Sequence, residues 1–380
     1  MIRRFIGSLI PLLALAVGEV IAGLTLRFNI ELLLVYSVLM IVIPGLMDLR
    51  GDVYGAIGYR LTTALHIGAA EPRLFTRFNI INTLTGYTVS LITSLELCFM
   101  GLVLSYMLNL GSMDPVSLVF IVTTSTIIVF LVLNPIVLAS VIMLFKKGVD
   151  PSGFVAVVVT GVGDALTPLT LILVSLMHQV ISFIVKLLFV LGVLASLAIS
   201  YLYLARIHED KPVKENTVSS IIASSGSSLG GFFAAISIEG LLSRVPEVLG
   251  VLPAFNALIG ASMGRLGNML NIELHVKGSA NTRRYRRASL LEAIATFISI
   301  LAAYTVILAT SGPGMFTVSI LSITISFILV YSLSAVTTFY LTTISFKHGW
   351  DPDNIVFPLM TTFADFAGYL STLLILGLVI

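Results

Sequence analysis

Residues 43–68 read IPGLMDLRGDVYGAIGYRLTTALHIG, and residues 252–277 read LPAFNALIGASMGRLGNMLNIELHVK. Set one under the other, they share a proline (Pro44, Pro253), three glycines (Gly51, Gly55 and Gly58 with Gly260, Gly264 and Gly267) and a histidine (His66, His275) at a constant offset of 209 residues. A second pair follows the same order. KGVDPSGFVAVVVTGVGDAL (147–166) and HGWDPDNIVFPLMTTFADFA (348–367) align Asp150-Pro151 with Asp351-Pro352, and Asp164 with Asp365, at an offset of 201. The chain reads as an internal duplication whose second copy has lost a few residues of loop or helix end.

Composition says where the two copies sit. Of 380 residues, 57% are hydrophobic and 11% charged, against about 25% charged in an ordinary soluble domain. A polytopic membrane protein is expected, with no soluble domain of any size. The formal charge of +2 comes from too few groups to build a nucleic-acid surface. Cys98 stands alone in an apolar run, so an intrachain disulfide is excluded and no Cys/His set has zinc spacing. The N-terminal MIRRFIGSLIPLLALAVGEVIAGL is long for a signal peptide, and Glu19 falls where a small-residue cleavage site would lie; it reads as a first span.

About 20 apolar residues cross a bilayer. Eleven segments qualify: 5–26, 31–49 with a polar-flecked extension to 68, 80–110, 116–145, 153–177, 180–205, 218–241, 247–271, 288–311, 316–346 and 354–379. Pro44 and Pro253 should kink or break the second and eighth. An N-terminus in the cytoplasm puts Arg3, Arg4, Arg73, Arg77, Lys146, Lys147, the loop RIHEDKPVKEN, the run HVKGSANTRRYRR and Lys347 on the inner side, and leaves the outer side little beyond Arg27 and Arg244.

Each half contains five spans. Five is odd, so direct fusion would invert the second half, and the unmatched span 180–205 restores a parallel orientation. The expected fold is an all-α polytopic membrane protein of two parallel five-helix repeats about a pseudo-twofold axis along the membrane normal, plus one linking helix. The divisions are a first repeat at 1–178, a linking helix and cytoplasmic loop at 179–217, and a second repeat at 218–380.

A carboxylate at mid-span costs roughly 2.5–3.5 kcal/mol on insertion scales, so such residues face a bundle interior or aqueous cavity. Asp164 and Asp365 hold the same place in parallel repeats and would face each other across the axis. Two close carboxylates share a proton or bind a cation. The Gly161–Asp164 stretch GVGD resembles the GxGD aspartate motif of intramembrane aspartyl proteases, but a Tyr-Asp partner and a Pro-Ala-Leu element are both missing.

The cation reading has a wider resemblance. PGLMDLRGDVYGAIGYRLTTALHIG, with the Asp-Pro pairs that lead to Gly163-Asp164 and Ala364-Asp365, resembles the MgtE-like magnesium transporters, especially their duplicated solute-carrier relatives. That resemblance implies five helices per half around a central cation pore, with Asp164 and Asp365 as ion ligands and Thr160 and Thr361, one turn earlier, supplying backbone carbonyls. It implies transport of a divalent cation, Mg2+ first and Mn2+ or Co2+ as possibilities, through a plasma-membrane protein that is no enzyme and whose fused halves suit a monomer. A Na+- or H+-coupled exchanger is the alternative within transport. The family's Gly-Asn pair is Gly51-Asp52 in the first half and Gly260-Ala261 in the second, and Arg60 is matched by Met269, so the pore is expected to be asymmetric there.

Other polar residues complete the candidates. Asp52 suits a pore mouth, or an ion pair with Arg60. Glu19 and Glu96 suit a vestibule or a coupling-ion site, or interhelical hydrogen bonds. Asn268 and Asn271 suit helix–helix bonding. His66 and His275 should end their helices, Asp150 and Asp351 should cap the fifth-type helices, and RRYRR should set topology and touch lipid. Glu239 and Glu292 read as interfacial. SSIIASSGSSLGG, at the place of the first span of the second repeat, reads as a small-residue helix face.

Overall fold

The computed structural model describes residues 2–107, 113–207, 221, 225–226, 246–311 and 316–379. The seventh predicted span, Glu239, and most of the charged loop after the linking helix lie outside these residues. Among the described residues every regular element is helical. They are α1 (Ile2–Phe28), α2 (Ile30–Val35), α3 (Ser37–His66), α4 (Arg77–Met107), α5 (Pro115–Lys146), α6 (Ser152–Ala156), a π-helical turn (Val157–Val162), α7 (Gly163–Met177), α8 (Phe183–Arg206), α9 (Pro246–Lys277), α10 (Thr282–Ser311), α11 (Phe316–Lys347) and α12 (Pro352–Val379).

Local chemistry explains several boundaries. Asp114 accepts the Ser117 amide at 2.9 Å and Pro115 follows it, which starts α5 without leaving an orphan donor. Gly148 and Gly349 take positive φ (68° and 75°) just past α5 and α11, where a residue with a Cβ would be strained. The next residues act alike. Asp150 Oδ1 accepts the Ser152 amide and Asp351 Oδ1 accepts the Asp353 amide, each at 3.0 Å, as expected of caps on the fifth-type helices. His66 and His275 also match: each Nδ1 meets the carbonyl four residues back, and each ring stands edge-on to a phenylalanine, Phe145 or Phe346.

The second span and its polar extension form one helix, α3, which runs past position 44, and α9 runs past position 253, so neither span breaks at its proline. The α-helical pattern is interrupted instead at Tyr36, before α3, and by the π turn at 157–162, within the expected fifth span. Among the described residues six helices are apolar and long enough to cross a membrane by length and composition: 5–26, 77–107, 115–146, 183–206, 282–306 and 320–347. α3 is not among them, because Asp48, Arg50, Asp52 and Arg60 interrupt its apolar run.

Two apolar clusters pack the structure. One joins α3, α4, α5, α7 and α8; the other joins α9, α10, α11 and α12. They interlock, because Leu12, Leu15 and Ala16 of α1 belong to the second cluster and Phe357 of α12 to the first. α1 accordingly packs on α10 and α9 as well as on α7 and the π turn. The linking helix α8 lies against α4 and α5, held by Tyr87–Ser196 (2.7 Å), Thr88–Ser200 (3.0 Å) and Lys186–Ser117 (3.1 Å). α3 touches both α9 and α12, so the charged face of α3 looks onto the second cluster.

Candidate functional site

Helix periodicity lays out the site. α12 carries Asp353, Phe357, Thr361 and Asp365 at four-residue steps, and α3 carries Asp48, Asp52, Gly55, Tyr59 and Thr63 at steps of three or four. Both sets occupy one face of their helix. The faces meet where α3 packs on α12, and each level of this ladder pairs different chemistry.

The top level is acidic. Asp365 and Asp48 meet side chain to side chain within hydrogen-bonding reach, and Asn256 of α9 also reaches Asp365. Glu19 of α1 and Asp164 of α7 meet in the same way. The two pairs lie within electrostatic reach of each other, with Asp52 beside Asp48. Glu19, Asp52 and Asp164 are buried, while Asp48 and Asp365 are half-buried. Glu19 Oε1, Asp48 Oδ2 and Asp164 Oδ1 have no hydrogen-bond partner among the described residues. Carboxyl groups this close are stable only with a shared proton or a cation beside them. One fixed cation is near: Arg50, fully buried, lies within electrostatic reach of Asp164 and donates to Thr126 at 3.0 Å.

Glycine makes this level possible. A Cβ on Gly18 would lie 2.4 Å from the Gly161 carbonyl oxygen, so α1 approaches the π turn backbone to backbone. That approach brings Glu19, the next residue, to Asp164. A Cβ on Gly368 would lie 2.0 Å from Asn256 Oδ1, the corresponding close contact of α12 with α9.

One turn along, the Thr361 hydroxyl lies 2.9 Å from Asp52 Oδ1 and 2.7 Å from the Pro358 carbonyl. The next level is apolar. The ring of Phe357, 1% exposed, is clasped between Gly55 and Gly264, where a Cβ would fall 2.2 and 2.1 Å from ring carbons, and Tyr59 stands edge-on at 5.2 Å. Beneath Phe357 a polar knot closes the ladder. Thr63 donates to Asp353 Oδ2, and Asn268 donates to Asp353 Oδ1 (3.1 Å) and Thr63 (3.0 Å). Asn271 reaches Asp353 as well. Asp351, in the loop before α12, faces Arg60; burial pushes its carboxyl above the usual carboxylate range, and the guanidinium opposes that shift.

Asp164, Asp365, Glu19 and Asp52 thus come together, and Thr361 joins them through Asp52. Asp164 and Asp365 do not form a simple facing pair, since each has another acid as its immediate neighbour. Position 160 lies in the π turn, and the Thr160 side chain lies outside what is described. Glu96 is half-buried on α4, and none of the acidic contacts involves it. Asp52 and Arg60 are not the pair expected, because Arg60 donates to the Ala56 carbonyl and faces Asp351 and Asp353. Glu292 is buried and bound to Arg265 (2.9 Å) and Ser8 (2.8 Å), not interfacial.

Asp48, Arg50 and Asn256 escaped the sequence reading. The repeat alignment matches Asp48 with Ala257 and Arg50 with Ile259, so a search for paired residues passes over them. The signal that finds Asp48 is its four-residue spacing from Asp52. Among the described residues, no three His, Cys, Asp or Glu side chains converge tightly enough to hold a metal ion by themselves.

Comparison with known proteins agrees with this acidic, membrane-embedded arrangement. No curated protein and no solved structure matches the chain. A family model described as MgtE, divalent cation transporter, matches it twice, over residues 43–174 and 221–375. Those stretches take in α3 to α7 and α9 to α12, which carry all of the acidic cluster except Glu19. The matches cover most of the sequence, and the chain belongs to the MgtE family of divalent cation transporters.

Proposed function

We propose that the protein moves Mg2+ across the plasma membrane along the ladder between α3 and α12, with the ion held at the top by Asp48, Asp164, Asp365 and Glu19. The observation that carries this reading is the convergence of two carboxyl pairs, drawn from α1, α3, α7 and α12, in the interior of a divalent cation transporter. Mg2+ sheds water reluctantly and is commonly held by one or two carboxylates while it keeps several waters. Paired rather than caged acids suit such an ion, which must also leave. Backbone carbonyls at position 160 and the matching position 361, each four residues before its aspartate, would supply further oxygens. Mn2+ and Co2+ fit the same oxygen chemistry.

We take Phe357 as the barrier in this pathway. Its ring lies on α12 between the acidic level and the Asp353 knot, packed against Gly55, Gly264 and Tyr59, and this supports the reading. The two matched regions are parallel five-helix repeats about a pseudo-twofold axis, eleven spans in all, with the N-terminus in the cytoplasm. The basic loops and the like ends of α3 with α9 and of α5 with α11 support this. Labelling a cysteine at Lys211, in a Cys98→Ser background, tests the orientation: modification from outside the cell overturns it.

Titration calorimetry of the purified protein with Mg2+ tests the site. The wild type should bind saturably, and Asp365→Ala and Asp48→Ala should each weaken binding and Mg2+ flux into liposomes. Unchanged binding in both variants would remove the acidic level from the pathway.

A further inference from the structure

Apart from the ladder, the described residues line a cavity of about 700 Å³, bounded by α1 at Gly7 and Ser8, by the loop before α6, by α9 and by the first turns of α10. Its walls come from both matched regions of the chain. Arg265, Arg283, Arg284 and Arg287 all line it. Asp150 and Glu292 line it too. One oxygen of each is engaged, Asp150 Oδ1 by the Ser152 amide and Glu292 Oε1 by Arg265 and Ser8, while Glu292 Oε2 is buried without a hydrogen-bond partner among the described residues. Arg284 leans toward Glu273 at 3.6 Å. Arg283 and Arg287 are exposed, and neither makes an ion pair among the described residues. Asn281 caps α10 by accepting the Arg284 amide at 3.0 Å, so the positive end of a 30-residue helix opens beside these guanidinium groups.

A basic run that served only topology would need charge on the surface and no shared concavity. Here the helix turns the arginines at 283, 284 and 287 onto one cavity. Guanidinium groups bind phosphate through two parallel hydrogen bonds, and a helix N-terminus favours the same anion. We propose that this cavity is a binding site for a phosphate-bearing anion, either a free polyphosphate compound or the headgroup of an anionic lipid. Occupied, it would tie the two matched regions together at one end of the molecule.

The test uses the purified full chain, with inorganic pyrophosphate in metal-free buffer as the soluble probe and phosphatidylglycerol against phosphatidylcholine as the lipid probe. Arg283→Gln/Arg287→Gln removes two exposed charges and should leave the melting temperature unchanged. Saturable pyrophosphate binding, weakened by about tenfold or more in this variant, identifies a free phosphate ligand. Selective retention of phosphatidylglycerol in native mass spectra, lost in the variant, identifies the lipid. The control Arg73→Gln/Arg77→Gln removes equal exposed charge outside the cavity, at the start of α4 and in the loop before it, and should change neither result. The site is overturned if neither probe binds, if the cavity variant binds as the wild type does, or if the control loses binding equally.

Discussion

α3 and α9 share a glycine pattern and a place in the duplicated sequence, yet they contribute opposite chemistry to the centre. α3 brings Asp48, Arg50 and Asp52; the matched residues of α9 are Ala257, Ile259 and Ala261, and its polar contributions include the amides of Asn256, Asn268 and Asn271. The fifth-type helices keep the aspartate on both sides but surround it differently, Asp164 with Glu19 and Asp365 with Asp48 and Asn256. Phe357 is one-sided as well: it is matched by Ala156, and one ring fills the space between two matched glycines. The matched positions that agree are glycines where a Cβ would clash, whereas the polar positions differ between the two regions.

That contrast can be broken first at its acids. Asp164→Ala and Asp365→Ala should each weaken Mg2+ binding by about tenfold or more, some 1.4 kcal/mol or greater. The double variant should fall short of the sum, since both groups serve one ion. Additive losses in calorimetry would mean two independent sites. Asn at either position keeps an acceptor without the charge and should retain the fold with reduced affinity.

The plug comes next. Phe357→Ala empties a buried ring site, with an expected stability cost of about 3–5 kcal/mol. If Phe357 is the barrier, the variant that still folds leaks Mg2+ into liposomes without Na+ on either side. Flux that stays dependent on a Na+ gradient points to the exchanger alternative instead.

Gly18→Ala sharpens the role of α1. The new methyl must displace the π-turn backbone at Gly161, an overpacking that costs about 1–3 kcal/mol. It should also separate Glu19 from Asp164 and weaken Mg2+ binding. Wild-type affinity in a destabilised Gly18→Ala protein would remove Glu19 from the site.

The smallest effect belongs to Glu96. It lies on α4 and takes no part in the acidic contacts, so Glu96→Gln should leave flux within about twofold of wild type. A large loss would place a second acidic site on α4.

Much of this was legible in the residues alone. Composition placed the chain in the membrane, because so few charges cannot coat a soluble surface. The paired motifs revealed the duplication and, with it, Asp164 and Asp365, since a carboxylate kept at one mid-span position in two copies has to be accommodated by the interior. Only the tertiary structure decided who meets whom. Whether Glu19 reaches Asp164 depends on two glycine backbones in contact, and whether Asp48 reaches Asp365 depends on how α3 faces α12; neither distance is encoded by spacing within one helix. Asp52 and Arg60 show the same limit from the other side. Two turns apart on α3, they looked like partners, but packing against α12 gave each a nearer one, Thr361 for Asp52 and the loop before α12 for Arg60. Periodicity determines which residues share a face, and only packing determines what that face meets.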